Sequence, residues 1–167
     1  MNRVTALHRI ARLSQQTQQT QRTFHQTLVT DVTDQLLEDL NQQLTELKVQ
    51  QLANTLWSLG RLQVSKQPIL DGIAMCGVNN IQEFGAQECA NFFWACGKML
   101  RKNEPLIEAL SLHASQMVFE LLPQHLGNIA WCMAKMKHVD IPLIDAITAK
   151  ALQSIPESDQ PEISNLV

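Results

Sequence analysis

The sequence predicts an all-α fold, an α-solenoid of stacked antiparallel helix pairs, and three observations predict it. Trp57, Trp94 and Trp131 are all the tryptophans of the 167-residue chain, and each stands 37 residues from the next. Pro68, Pro105 and Pro142 repeat at the same step of 37. Between these columns the apolar residues recur at three and four, the period of a helix with one buried face. Self-similarity at a fixed period of about 20–50 residues marks a repeat array. Several rare residues in one gapless register leave little room for coincidence.

Each unit divides into two helices. Helix A is read from Leu52–Leu62, Cys89–Met99 and Leu126–Met136, with Asn54, Asn91 and Asn128 in one column and Arg61, Lys98 and Lys135 in another. Leu52, Ala53, Leu56, Leu59 and Gly60 share one face. Gly60 and Gly97 stand inside a helix at an entropic cost, which close approach of a neighbouring helix would explain; Ala134 takes that place in the third copy. Helix B is predicted to start at the proline column, because proline at the first helical position removes a donor that has no partner there. Asp71, Glu108 and Asp145 then complement the positive end of the helix dipole, and Ile69, Ile73 and Ile81 form the buried face. The expected A helices are near 3–14, 49–63, 86–101 and 123–137, and the B helices near 31–45, 67–82, 104–119 and 141–154. Full repeats cover about 48–84, 85–121 and 122–158 within a repeat domain at 31–167, followed by a helical stub near Gln160. Residues 1–30 form a basic N-terminal segment. In it Ala6–Leu13 resembles Thr55–Leu62 at an offset of 49, ahead of the Gln/Thr-rich stretch Ser14–Thr27.

Charge and composition narrow the function. The first thirty residues carry Arg3, Arg9, Arg12 and Arg22 and no acid, whereas from Asp31 onward nine Lys or Arg face sixteen Asp or Glu. The body is not a generally basic nucleic-acid binder, so contact with phosphate requires a local basic stripe. No apolar run approaches the ~20 residues of a membrane span. Cys76, Cys89, Cys96 and Cys132 form no CxxC pair and read as small buried hydrophobes in a reducing compartment. The five histidines share no repeat column or metal spacing and read as surface or edge residues. No catalytic, metal or cofactor constellation is present, and enzymatic activity is not expected.

The candidate binding residues are Asn54, Trp57, Arg61, Asn91, Trp94, Lys98, Arg101, Asn128, Trp131 and Lys135. Stacked repeats set Gln51, Asn54, Ser58 and Arg61 beside their counterparts, among them Ala95 and Cys132, with the tryptophans flanking each row. Asn can bond a base edge or a peptide backbone, Trp can stack, and a cation can meet phosphate. The same columns have a plainer account. Trp can be a packing knob between units, Asn can bond backbone between repeats, and the cations can complement the carbonyl ends of the helices.

The segment Leu-Ala-Asn-Thr-Leu-Trp-Ser-Leu-Gly-Arg-Leu at 52–62 resembles the octotricopeptide and heptatricopeptide helical repeats that accompany RAP domains and occur in FAST-kinase-like proteins. Gln50, Ala53, Asn54 and Trp57 match that pattern, as do Gln87, Ala90, Asn91, Trp94 and Ala95, and the likeness covers about residues 31–167. It implies an α-solenoid that contacts single-stranded RNA in mitochondria or chloroplasts, in processing, stability, translation or ribosome assembly. No RAP domain is present. An Arg-bearing, acid-free N-terminus with Val4, Leu7, Ile10, Ala11 and Leu13 on an amphipathic helix fits a mitochondrial presequence, and equally a divergent first helix A. No secretory signal is seen, and a cytoplasmic location is the alternative. Two other functions stay open: a scaffold that grips an extended peptide, as armadillo repeats do, and a purely structural part of a longer solenoid that associates through its open end.

Overall fold

The structure, a computed structural model, describes residues 3–13 and 34–154. Among them are eight α-helices and no strand: α1 (Arg3–Leu13), α2 (34–41), α3 (Val49–Leu62), α4 (Gln67–Asn79), α5 (Ala86–Met99), α6 (Glu104–Gln116), α7 (Pro123–Met136) and α8 (Ile141–Gln153). From α3 onward the starts and ends repeat at 37 residues. The odd helices pack on one another in chain order, α1 on α3, α3 on α5 and α5 on α7. The even helices α4, α6 and α8 do the same. Two layers of helices therefore enclose one core, as expected of stacked hairpins that cannot bury their apolar faces alone. None of the described helices is long and apolar enough to cross a membrane.

The spine is set by the glycines of helix A. A Cβ on Gly60 would lie 3.2 Å from the Cα of Ala95, and one on Gly97 would lie 2.9 Å from the Cα of Cys132. The A helices thus touch nearly backbone to backbone. Leu52, Ala53, Leu56 and Leu59 are buried on the predicted face. α1 enters the same layer: Val4, Leu7 and Ala11 are buried, and Arg3 reaches Asp39 at 3.0 Å and Gln43 at 2.9 Å. α1 thus packs against α3 at the start of the A layer. The Gln/Thr-rich stretch Ser14–Thr27 and the stub near Gln160 lie outside the described residues.

Helix ends depart from the sequence reading in two ways. The prolines sit at the second helical position: α4 begins at Gln67, and in α6 and α8 the N-caps Asn103 and Asp140 accept from the amides of Leu106 and Leu143. Helix B also stops early, by three residues in α4 and α6 and by one in α8. α4 ends at Asn79, where the Asn80 side chain bonds the Cys76 carbonyl at 2.8 Å. A single 3₁₀ turn then follows α2, α4 and α6, at Leu44–Glu46, Ile81–Glu83 and Val118–Glu120. Ile81 consequently belongs to that turn, while Ile69 and Ile73 are buried on α4. The A helices end on left-handed residues, Gln63, Leu100 and Lys137, with φ of 55°, 51° and 50°. The following amides of Val64, Arg101 and His138 return to the carbonyls of Leu59, Cys96 and Met133, each at 3.0 Å.

The acid column of helix B ties neighbouring units together. Arg101, after α5, meets Asp71 of α4 at 3.0 Å, and Lys66, after α3, meets Asp34 of α2 at 2.8 Å. All four cysteines are buried and unpaired. Burial pushes the thiols of Cys89 and Cys96 up to about 12 and raises those of Cys76 and Cys132, so they remain neutral packing groups.

Three outcomes follow from this packing. Gly97→Ala adds a methyl against backbone; overpacking of about 1–3 kcal/mol exceeds the ~1 kcal/mol gain in helix propensity. Chemical denaturation should show Gly97→Ala destabilised and Gly60→Ala, with its longer approach, less so. Leu100 is 66% exposed and left-handed. Leu100→Gly is therefore expected to stabilise by about 1 kcal/mol, seen as a rise of about 2–4 °C in Tm. A thiol reagent at pH 8 should leave all four cysteines unlabelled in the native chain while labelling them rapidly in denaturant; native labelling would contradict the packing.

Candidate functional site

Because the A helices stack in phase, their equivalent residues form rows that run across α1, α3, α5 and α7. His8 stands where the tryptophan stands in later units, as the offset of 49 requires. The His8 and Trp57 rings are 4.9 Å apart at 33°, and Trp57 and Trp94 are 5.8 Å apart at 28°. Both are direct ring contacts, the first tilted and the second stacked. Trp57 and Trp94 are half-buried and Trp131 is 37% exposed. The tryptophans are thus neither enclosed core residues nor free platforms. They form the rim of the core, with Trp57 lodged between two other rings. The stack does not continue to Trp131: no ring contact joins Trp94 to it among the described residues.

Cations line the same edge. The Arg61 guanidinium lies 5.5 Å from the Trp57 ring centre, and the Lys135 ammonium lies 5.9 Å from that of Trp131. Lys98 and Lys135 are exposed, and no carboxylate pairs with either among the described residues. Arg101 is placed differently, since its ion pair with Asp71 commits it to the joint between units. His8 is held below the ordinary histidine range by burial and by Arg12, so it is neutral at pH 7.

The asparagines are half-exposed beside this row. Asn91 accepts from the Gln87 amide at 2.9 Å within its own helix. No hydrogen bond between units involves the side chains of Asn54, Asn91 or Asn128 among the described residues, so the ladder of inter-repeat amide bonds is absent there. The polar row needs a further correction. Ser58, Ala95 and Cys132 are fully buried against the adjacent helix, and Gln51 and His125 turn back to accept from the Lys48 and Leu122 amides at 3.0 and 3.2 Å. The open face is instead Gln50, Asn54, Trp57 and Arg61, one helix position away. Two histidines expected at the surface are also inside. His125 is that cap, and His113 bonds the Phe84 carbonyl at 2.9 Å.

Charge divides by layer. The A helices carry Arg3, Arg9, Arg12, Arg61, Lys98 and Lys135 against the single acid Glu88. The described B helices carry Asp34, Glu38, Asp39, Asp71, Glu104, Glu108 and Asp145 against Lys150. The net acidity of the described body therefore resides in the B layer, since the turns carry Glu46, Glu83, Glu120 and Asp140 against Lys48, Lys66, Arg101, Lys102 and Lys137. Sequence reading summed the two and missed the division; tallying charge by helix type would have found it.

Comparison with known proteins gives one family. The family described as RNA-editing substrate-binding complex 6 protein matches residues 7–167, from within α1 through every repeat. No curated protein sequence matches the chain. The matched family differs from the octotricopeptide, RAP-associated and FAST-kinase-like families that the repeat resembles. The span of the match covers nearly the whole sequence, and the chain belongs to the RNA-editing substrate-binding complex 6 protein family.

Proposed function

We propose that the edge of the A layer is a single-stranded RNA-binding surface, in a non-catalytic component of an RNA-editing substrate-binding complex. The observation that carries this reading is the segregation of charge: a row of cations follows the aromatic rim through successive helices, while the acids lie in the other layer. Evenly spaced cations suit a polyanion, since each phosphate neutralised releases counterions. The family's name, which refers to the binding of an RNA-editing substrate, supports the same ligand. The finer likeness to octotricopeptide repeats points the same way, and with the Arg-bearing N-terminus it supports a mitochondrial setting.

The roles divide by residue. Arg12, Arg61, Lys98 and Lys135 meet phosphates, and Asn54, Asn91 and Asn128 supply amides beside them. Trp57 already meets a ring on both sides, so it stiffens the row and offers ring edge only. The break between Trp94 and Trp131 is where a base would find ring surface not yet taken. A neutral peptide would gain less here, because it supplies no negative charge to Lys98 and Lys135, which pair with no carboxylate among the described residues.

Filter binding of a single-stranded RNA over a range of salt tests this directly. Two phosphate contacts contribute about 1.4 to the slope of log affinity against log salt for a single strand. The Lys98→Ala/Lys135→Ala double variant should therefore bind more weakly, with a slope shallower by that amount. An unchanged slope, or no affinity of the wild type at low salt, defeats the reading.

A further inference from the structure

The B layer turns a regular surface away from the core. Because α4, α6 and α8 pack on one another in chain order, their residues 37 apart stand side by side. Asp71, Glu108 and Asp145 make one exposed row, and one turn further along Met75, Leu112 and Ala149 make another. Met75 is 58% exposed and Leu112 is 64% exposed. In α2 the same place holds Glu38, so charge bounds the apolar row at that end. Helix starts account for the acids. The apolar row has no such account, since α4 and α6 bury their opposite faces, at Ile69 and Ile73 and at Leu106 and Leu110. A single exposed apolar residue is ordinary, but one repeated at the same position of adjacent helices marks a surface that meets something.

We infer that this row is a docking surface for a basic amphipathic helix of a partner protein, laid across α4, α6 and α8. Geometry selects a helix. Packed helices stand about 8–10 Å apart, a distance that about seven residues of an α-helix cover. Apolar residues of the partner at i, i+7 and i+14 therefore share one face and meet Met75, Leu112 and Ala149 in turn. An extended strand covers the same distance in about three residues, and that odd step points successive side chains to opposite faces. Charge selects a basic flank. The acid row runs beside the apolar row, four residues earlier on each helix. Glu108 and Asp145 pair with no cation among the described residues, and Lys or Arg along one flank of the partner helix meets them. The same acids repel a nucleic acid, and a second copy of this chain brings a like-charged layer. The surface belongs to the layer opposite the proposed RNA-binding edge, so the inference does not rest on that reading.

Fluorescence anisotropy of a labelled synthetic helix against the full chain tests this. The peptide carries leucine at i, i+7 and i+14, with lysine four residues after each of the first two; a counterpart carries glutamate in place of lysine. The lysine peptide should saturate the wild-type chain, and the glutamate peptide should bind at least about tenfold more weakly. Leu112→Glu should weaken the lysine peptide by at least about tenfold. The Glu108→Lys/Asp145→Lys double variant should reverse the preference between the two peptides. All three of these side chains are exposed, so circular dichroism should show both variants folded. Lys98→Ala/Lys135→Ala should leave the peptide affinity unchanged, which separates this surface from the RNA-binding edge. Absence of saturation, equal affinity for the two peptides, or indifference to Leu112→Glu overturns the inference. A dimer of the chain alone in light scattering that Leu112→Glu dissociates assigns the row to a second copy and overturns it as well.

Discussion

Close approach of successive A helices is the constraint on which the rest of this structure depends. A helix pair of this composition has an apolar stripe on each member and too few residues to hide both. The Gly60 and Gly97 column brings neighbouring backbones into contact at Ala95 and Cys132, which leaves the A layer only one register. With register fixed, residues 37 apart must stand side by side. The aromatic rim, the cation row and the ties from Arg101 to Asp71 and from Lys66 to Asp34 all follow from that juxtaposition. A looser contact would let the helices slide or rotate and would scatter the rows.

The repeat, its step and the helix boundaries could be read in the sequence because they rest on periodicity, which local residue types carry directly. α3, α5 and α7 start where the pattern places them, and their ends differ by a residue or two. The rows on the surface were harder. Ser58 and Asn54 are both polar and one turn apart, yet Ser58 bonds the Asn54 carbonyl at 2.6 Å and faces the next helix. A small hydroxyl satisfied by its own backbone packs as if apolar, and pattern reading cannot tell it from a surface residue. The left-handed helix ends were equally hidden. Gln63, Leu100 and Lys137 lack the glycine that usually announces such a cap, so the geometry is imposed by the chain's return into helix B rather than by local preference.

The charge division shows how an acidic chain presents a basic surface. Summed over the body, the acids prevail, and a single net charge would argue against a polyanionic ligand. The screening length at physiological salt is about 8 Å, of the same order as the 8–10 Å separating packed helices. A phosphate at the A-layer edge therefore responds chiefly to the cations of that layer, and the acids behind the core are largely screened. What matters is which helix a charge sits on, and the alternation of A and B helices sorts the charges onto separate sheets of the stack. The B-layer acids have their own employment in the ion pairs between units and at helix starts, so they need no ligand to explain them.

The aromatic rim also bears on what kind of reading the surface can perform. Discrimination among bases requires either polar groups at base edges or rings between which a base can lodge. Trp57 has spent its faces on His8 and Trp94, and separating those rings would sacrifice contacts worth about 0.5–1.5 kcal/mol each beyond their burial. A base stacking there would gain about 1–3 kcal/mol and give much of it back. Contact through phosphates meets no such opposition, because Lys98 and Lys135 are exposed and pair with no carboxylate among the described residues. The balance favours a surface that holds the backbone of a strand firmly and its sequence loosely, with base contact concentrated near Trp131. For a single-stranded ligand of the kind proposed, that division of labour follows from the packing of the rings alone.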